Sequence, residues 1–232
     1  MESGYIACVL LLLNPTLGFI LNSNDGPVMG FAEPLMIAQL EESGWNLVFR
    51  GTSGNGHNTL DAWMNGVGTS STKPMDMSRS YDSHFRDNYA VTHWASLGVK
   101  YVKFALYKQS REVVNIVFNG TGSDMTSWFA QQRVLVSSYS DITPTNTYNF
   151  FSIQGHIDVQ HVVRTFFINQ IYHGCDGDVG NVVVLERDGD CNWDHQPRYP
   201  QFLYSDLNAA ENWNQRMFGR ADYLAIFVYT GQ

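Results

Sequence analysis

The sequence predicts an α+β, mostly β fold: a compact single domain of many short antiparallel strands with a few short helices and long loops. Three observations carry this reading. Charged residues make up 16% of the 232-residue chain, below the roughly 25% of an average soluble protein, whereas exposed helices need charged outer faces. Several segments alternate apolar and polar residues with the period of two that a half-buried strand requires. Clusters of Gly, Asn, Asp and Pro separate them and supply turn chemistry. A hydrophobic content of 44% over this length buries one full core and is short for two ordinary domains.

From the N-terminus, "YIACVLLLL" (Tyr5 to Leu13) is an apolar run followed by Asn14-Pro15 and Thr16-Leu17-Gly18. That layout is expected of a signal peptide spanning 1–18, leaving a secreted domain over 19–232. The leading "MESG" departs from it, carrying Glu2 and no Lys or Arg; a buried first strand is the alternative. The run is too short to span a bilayer, which takes about 20 apolar residues. "EPLMIAQLEE" from Glu33 reads as a helix with Pro in its first turn, and "WNLVFRG" from Trp45 as a strand. Residues 51–93 have little periodicity and read as surface loops anchored by Trp63.

"VKYVKFALYKQSREVVNIVFNG" is a β-hairpin. Val102, Phe104 and Leu106 share one face, "KQSR" (Lys108 to Arg111) turns, and Val114, Ile116 and Phe118 continue the apolar face on return. "SDMTSWFAQQRVL" opens with capping residues Ser123 and Asp124 and reads as a short helix; "AAENWNQRM" reads as another. Further strands are "YNFFSIQ" from Tyr148, "VVRTFFI" from Val162, "NVVVLE" from Asn181, "QFLYS" from Gln201 and "DYLAIFVY" from Asp222.

With 14 basic and 22 acidic residues the net charge is −8, which repels nucleic acid and anionic membrane surfaces. If the leader is removed, Cys8 leaves with it and Cys175 and Cys191 remain, which pair by default in a secreted chain. Their spacing suits neither a zinc knuckle nor a C-x-x-C redox motif. "NGT" at Asn119 to Thr121 is an N-glycosylation acceptor pattern where a turn is expected.

"GWNLVFR" (Gly44 to Arg50), followed by Trp63 and "NGVG" (Asn65 to Gly68), resembles the opening of fibrinogen-related domains, which intelectins share. The hairpin, the late cysteines with "CNW" and the final apolar strand fall in corresponding places. The family's early cysteine pair has no counterpart here, and the acidic residues lie inside the late loop rather than just before Cys175. The resemblance implies an extracellular recognition module for glycans or acetylated groups, often oligomeric.

Two constellations invite chemistry. Asp176, Asp178 and Asn181 at one end of the loop between the cysteines, with Asp188, Asp190 and Asp194 at the other, offer oxygen ligands for calcium, the candidate cofactor. The competing reading is solvated turn corners. His156 and Asp158 share a strand face near His161 and Arg164 and suggest a zinc or acid/base pair, but two histidines five apart on extended chain do not converge. Trp193, beside Asp194 and near Tyr199, is the preferred exposed ring for stacking on a sugar. No G-x-S-x-G elbow is present, and "GTSGNGH" lacks the Lys of a phosphate loop. The leading expectation is a secreted, non-enzymatic, lectin-like module. A structural matrix or secretory-fluid protein and a metal-assisted enzyme using His156 and Asp158 are the alternatives.

Overall fold

The computed structural model describes residues 35–77, 83–215 and 217–231, all within one compact unit, Glu33–Gln232. The expected leader, 1–18, lies outside the described residues. In chain order the elements are α1 (Ile37–Glu41), β1 (Trp45–Thr52), α2 (Thr59–Asn65), β2 (Thr69–Ser70), β3 (His84–Arg86), α3 (Asn88–Thr92), β4 (Tyr101–Lys108), β5 (Arg111–Asn119) and β6 (Val134–Ser137). There follow β7 (Phe150–Ser152), β8 (His156–Asp158), β9 (Val162–Ile171), β10 (Val179–Leu185), β11 (Gln201–Ser205), β12 (Glu211–Asn212), β13 (Phe218–Ala221) and β14 (Tyr223–Tyr229). The fold is mostly β, as the sequence predicts. No helix among the described residues is long and apolar enough to cross a membrane.

The strands form two sheets. The first runs β2-β3-β1-β14-β4-β5-β6 and the second β13-β11-β10-β9-β7, with β8 also on β9 and β12 on β10. The predicted hairpin supplies two neighbours of the first sheet. Val102 faces Phe118, Phe104 faces Ile116 and Leu106 faces Val114, so one apolar face points inward. The turn is tighter than "KQSR" suggests: Lys108 and Arg111 still pair, and Gln109 and Ser110 turn the chain at φ 48° and 61°. This is the left-handed geometry of the two-residue turns that match strand twist, usually given to Asn or Gly. In β1 a register shift between Leu47 and Phe49 lets Val48 and Phe49 both enter the core, while Leu47 points to the outer face.

The inner faces of both sheets share one apolar cluster, built from Val48, Phe104, Ile116, Leu224 and Ile226 on one side and Phe166, Ile168, Val182, Val184 and Phe202 on the other. Trp63, Trp94 and Trp128 pack edge to edge and stacked at its margin, with centroids 5.9–6.2 Å apart. A second cluster covers the outer face of the first sheet, where Ile37 of α1 and Met77 lie on Leu47, Ala105, Tyr107 and Phe227. The third lies on the outer face of the second sheet, where Trp193, Trp213 and Cys191 cover Phe167, Val183, Leu185 and Leu203.

Three expectations change. Residues 51–93 are not all loop: they hold α2, β2, β3 and α3, and Trp63 is fully buried from α2. Residues 123–135 form turns, one 3-10 turn at Gln131–Arg133 and the edge strand β6, not an α-helix. Asp124 spends its carboxylate on the N–H groups of Thr126 and Ser127, both 2.8 Å, and the Thr126 hydroxyl, 2.7 Å. These bonds close a local turn that competes with helix and hold its pKa at about 2. The "AAENWNQRM" segment gives β12 and a 3-10 turn at Trp213–Gln215, because Glu211 joins the β10 ladder opposite Gly180.

Glu186, just past β10, ties the second sheet to α2. Its carboxylate accepts the N–H groups of Thr59 (2.8 Å) and Leu60 (3.0 Å) and the Thr165 hydroxyl (2.8 Å), while Asn58 accepts the Asp61 N–H. Two orphan donors of the helix start are thereby satisfied from a distant strand. Burial pushes the Glu186 pKa up to about 7, against the pull of these bonds. A folded pKa above the unfolded one means that the native state holds the extra proton. Its contribution to stability is therefore full below the ordinary glutamate range and is lost as pH rises through about 7. In Glu186→Gln this pH dependence disappears, while one N–H loses its acceptor at a cost of about 1–3 kcal/mol. Urea denaturation at pH 5 and pH 8 is expected to show the wild type losing more stability than the variant over that interval; parallel losses would refute this role.

Candidate functional site

The loop clipped by the cysteines is the first place to look. Cys175 and Cys191 are bonded, with Cα atoms 5.1 Å apart. At the centre of the packing beneath this clip lies Arg164 of β9, only 1% exposed. Its Nη1 donates to Asp178 Oδ2 at 3.1 Å, its Nη2 to Asp194 Oδ2 at 2.7 Å and to Cys191 Sγ at 3.1 Å, and its Nε to Asp194 Oδ1 at 3.2 Å. The guanidinium lies 4.1 Å over the Trp193 ring. Burial pushes the Asp178 carboxyl up; the His173 N–H and Arg164 pull it back.

This arrangement corrects the exposure expected of Trp193 and places the other predicted binding residues. Trp193 is not an exposed platform: it is 1% exposed and stacks between Arg164 and Trp213, whose ring centroid is 5.7 Å away. Asp194 is buried with it. Tyr199 is half-buried, its hydroxyl accepting the Gln196 N–H and lying 2.8 Å from the Asp194 carbonyl and 3.0 Å from Asp188. His156 and Asp158 sit on β8. His156 Nδ1 bonds the Tyr172 hydroxyl at 2.7 Å, and Asp158 accepts the Gln160 N–H.

The oxygen set offered for calcium is dispersed. Asp176 accepts from Asn214, Asp178 from Arg164, Asp188 pairs with His195 and Tyr199, and Asp190 pairs with His161. Asn181 donates to Asp141. Among the described residues no three His, Cys, Asp or Glu side chains gather as a metal group would. Two of the acids, Asp178 and Asp194, come together on the guanidinium of Arg164. An arginine inside the apolar run "VVRTFFI" was the signal for it, since charge in a buried strand needs a partner.

The first sheet offers a different site at the end where β1 leaves, β14 begins and the hairpin turns. A pocket of about 310 Å³ is lined there by Thr52, Ser53, Met77, Gln109, Ser110, Asp222 and Tyr223, within the roughly 300–1,000 Å³ of small-ligand clefts. Asp222 holds its three walls together. It donates its N–H to the Tyr107 carbonyl (2.8 Å), accepts the Ser53 N–H on its own carbonyl (3.0 Å), and accepts the Gln109 N–H on Oδ2 (2.8 Å). The last bond fixes the left-handed turn residues that form one rim.

Behind the rim the charges are fixed. Arg50 is 1% exposed, lies 3.7 Å over the Tyr223 ring and donates to Thr52 Oγ1 at 3.1 Å. Burial raises the Tyr223 pKa while Arg50 opposes it, so the phenol keeps its proton. The Thr52 N–H donates to His84 Nδ1 at 3.0 Å, and His84 Nε2 donates to the His57 carbonyl at 3.0 Å. Burial lowers the His84 pKa to about 4, so this imidazole is neutral and accepts at Nδ1. The pocket thus presents hydroxyls, an amide, a carboxylate and a phenol ring before a buried positive charge. Such a set suits the hydroxyls of a polyol.

No protein-family model matches the chain, and neither a curated protein nor a solved structure matches it.

Proposed function

We propose that this protein is a secreted, lectin-like recognition module whose ligand is a glycan or an acetylated sugar, held in the pocket between the β1 end, the β4–β5 turn and Asp222–Tyr223. The supporting observation is the composition of that pocket: Asp222, Gln109, Thr52, Ser53 and Ser110 line one cleft with Met77 and Tyr223. A carboxylate and an amide are directional partners for vicinal hydroxyls, and the buried Met77 and Tyr223 close the pocket behind them. The Ser53 and Ser110 hydroxyls add donors and acceptors to this lining. The cysteine clip and the sequon at Asn119 support the extracellular setting.

A glycan array probed in the presence and absence of a calcium chelator tests the reading. Selective binding is expected in at least one condition, and silence in both would overturn it. On an array-positive glycan, Asp222→Asn is expected to weaken binding by about tenfold, or 1.4 kcal/mol, through loss of a charge-assisted bond. Unchanged affinity in a folded Asp222→Asn chain would move the site elsewhere.

A further inference from the structure

The opposite end of the first sheet carries a row of side chains that the pocket does not use. In register across four strands stand Trp45 of β1, Tyr229 of β14, Tyr101 of β4 and Asn119 of β5. Successive rings of Trp45, Tyr229 and Tyr101 lie with centroids 5.9 Å apart. Tyr101 is 43% exposed and Leu135 of the edge strand β6 is 53% exposed. A groove of about 400 Å³ runs beside them, lined by Lys100, Tyr101, Asn119, Thr121 and Leu135. Both chemical members of the Asn-Gly-Thr pattern therefore line the groove that borders the exposed rings.

The local backbone presents the asparagine for modification. Asn119 is the last residue of β5 and is exposed. Its Oδ1 accepts the Thr121 N–H at 3.0 Å, which turns the side chain back over the tripeptide. Arg133 Nη1 donates to the carbonyls of Asn119 and Thr121, both 3.0 Å, and fixes the turn from the outside. Among the described residues nothing accepts from Asn119 Nδ2, so the nitrogen that must react is free.

We propose that Asn119 carries an N-linked glycan, and that its first sugars lie in the adjoining groove against Tyr101 and Leu135, covering the exposed end of the aromatic row. In the transfer, Asn119 Nδ2 attacks C1 of the terminal N-acetylhexosamine of an oligosaccharide carried on a polyprenyl diphosphate. The Nδ2–C1 bond forms, the C1–O bond to phosphate breaks, the diphosphate leaves as an anion and one Nδ2 proton passes to a base of the transferase. No electron transfer is needed. Cross-strand neighbours such as Tyr101 and Asn119 sit about 5 Å apart, so a sugar attached to Asn119 meets the Tyr101 ring at once. The ligand pocket lies at the far end of β1, about 23 Å away for the seven steps from Trp45 to Thr52 at about 3.3 Å each. The glycan and the ligand therefore occupy different ends of the sheet; the attachment shares with the proposed function its premise of export, and loss of the glycan from a secreted chain leaves the ligand pocket to be decided on the array.

The test uses the full chain secreted from a eukaryotic cell line. Intact mass is expected to show a glycan on the wild type, none on Asn119→Gln or on Thr121→Ala, and a glycan again on Thr121→Ser. Peptide N-glycosidase treatment should leave Asp at position 119 in the mapped peptide. Iodination of Tyr101, followed by peptide mass, should proceed severalfold faster after the glycan is released. Secreted chain with unmodified Asn119, or chain that stays in the cell without sugar, overturns the attachment. Equal iodination before and after release overturns the covering of the ring.

Discussion

Replacing Arg164 with methionine is expected to destabilise the fold by about 3–5 kcal/mol, the usual result of removing one partner from a buried ion pair. Arg164, Asp178 and Asp194 have side chains 1% exposed, so the two carboxylates left behind have no water to replace the guanidinium. They must take up protons or pull the loop open. Guanidinium denaturation of wild type and variant measures the loss. Arg164→Lys should lose less because it keeps the charge, yet not recover fully, since an ammonium cannot reproduce the two-toothed contact with Asp194 and the flat packing on Trp193. Adding Asp178→Asn and Asp194→Asn to Arg164→Met should regain part of the loss. A variant within about 1 kcal/mol of wild type, the range of an exposed pair, would show that the buried triad is not structural.

Breaking the Cys175–Cys191 bond is the second large effect. A bridge across a sequence separation of 16 is worth about 3 kcal/mol in the chain-entropy account. Here the clip also holds Trp193 and Trp213 over the outer face of the second sheet. The Cys175→Ser, Cys191→Ser double variant is therefore expected to lose about that stability and to shift its tryptophan emission to the red as the loop lifts. A variant with unchanged emission and midpoint would mean that Arg164 and the apolar contacts hold the loop without the bond.

Much of the fold was legible because strand signals are local. The hairpin 101–119 and the strands from Trp45, Val162, Asn181, Gln201 and Asp222 all announce themselves by alternation or by apolar runs between turn residues. The helix signal from Glu33 does give α1, Ile37–Glu41, but the other helix signals mislead. At 59–65 the helix is only seven residues long, too short for periodicity to show, and its start is completed by Glu186 from far away. At Ser123–Asp124 a capping pattern is present, but the carboxylate closes a turn instead.

The site was less legible. Trp193 looked exposed because its neighbours in sequence are polar, and burial came from Arg164 and Trp213, remote in sequence. The pocket residues Thr52–Ser53, Gln109–Ser110 and Asp222–Tyr223 share no motif. Only the antiparallel register, Thr52 opposite Tyr223 and Tyr223 opposite Tyr107, brings the three segments to one edge. A reader of the sequence could have noted that "KQSR" lacks the Asn or Gly its turn geometry favours. Non-glycine residues held at positive φ mark strained places, and such places cluster at functional sites.

The central position of β14 between β1 and β4 bears on how the chain matures during synthesis. β1 and β4 leave the ribosome early, and each keeps one side without its ladder partner until residues 223–229 have been made. Until then their open flanks are templates for pairing with the wrong chain. Closure then requires contacts between distant parts of the polypeptide, which places folding among the slow, millisecond-to-second cases. Premature termination upstream of β14 would thus leave the first sheet split through its middle, a species destined for chaperone capture or degradation.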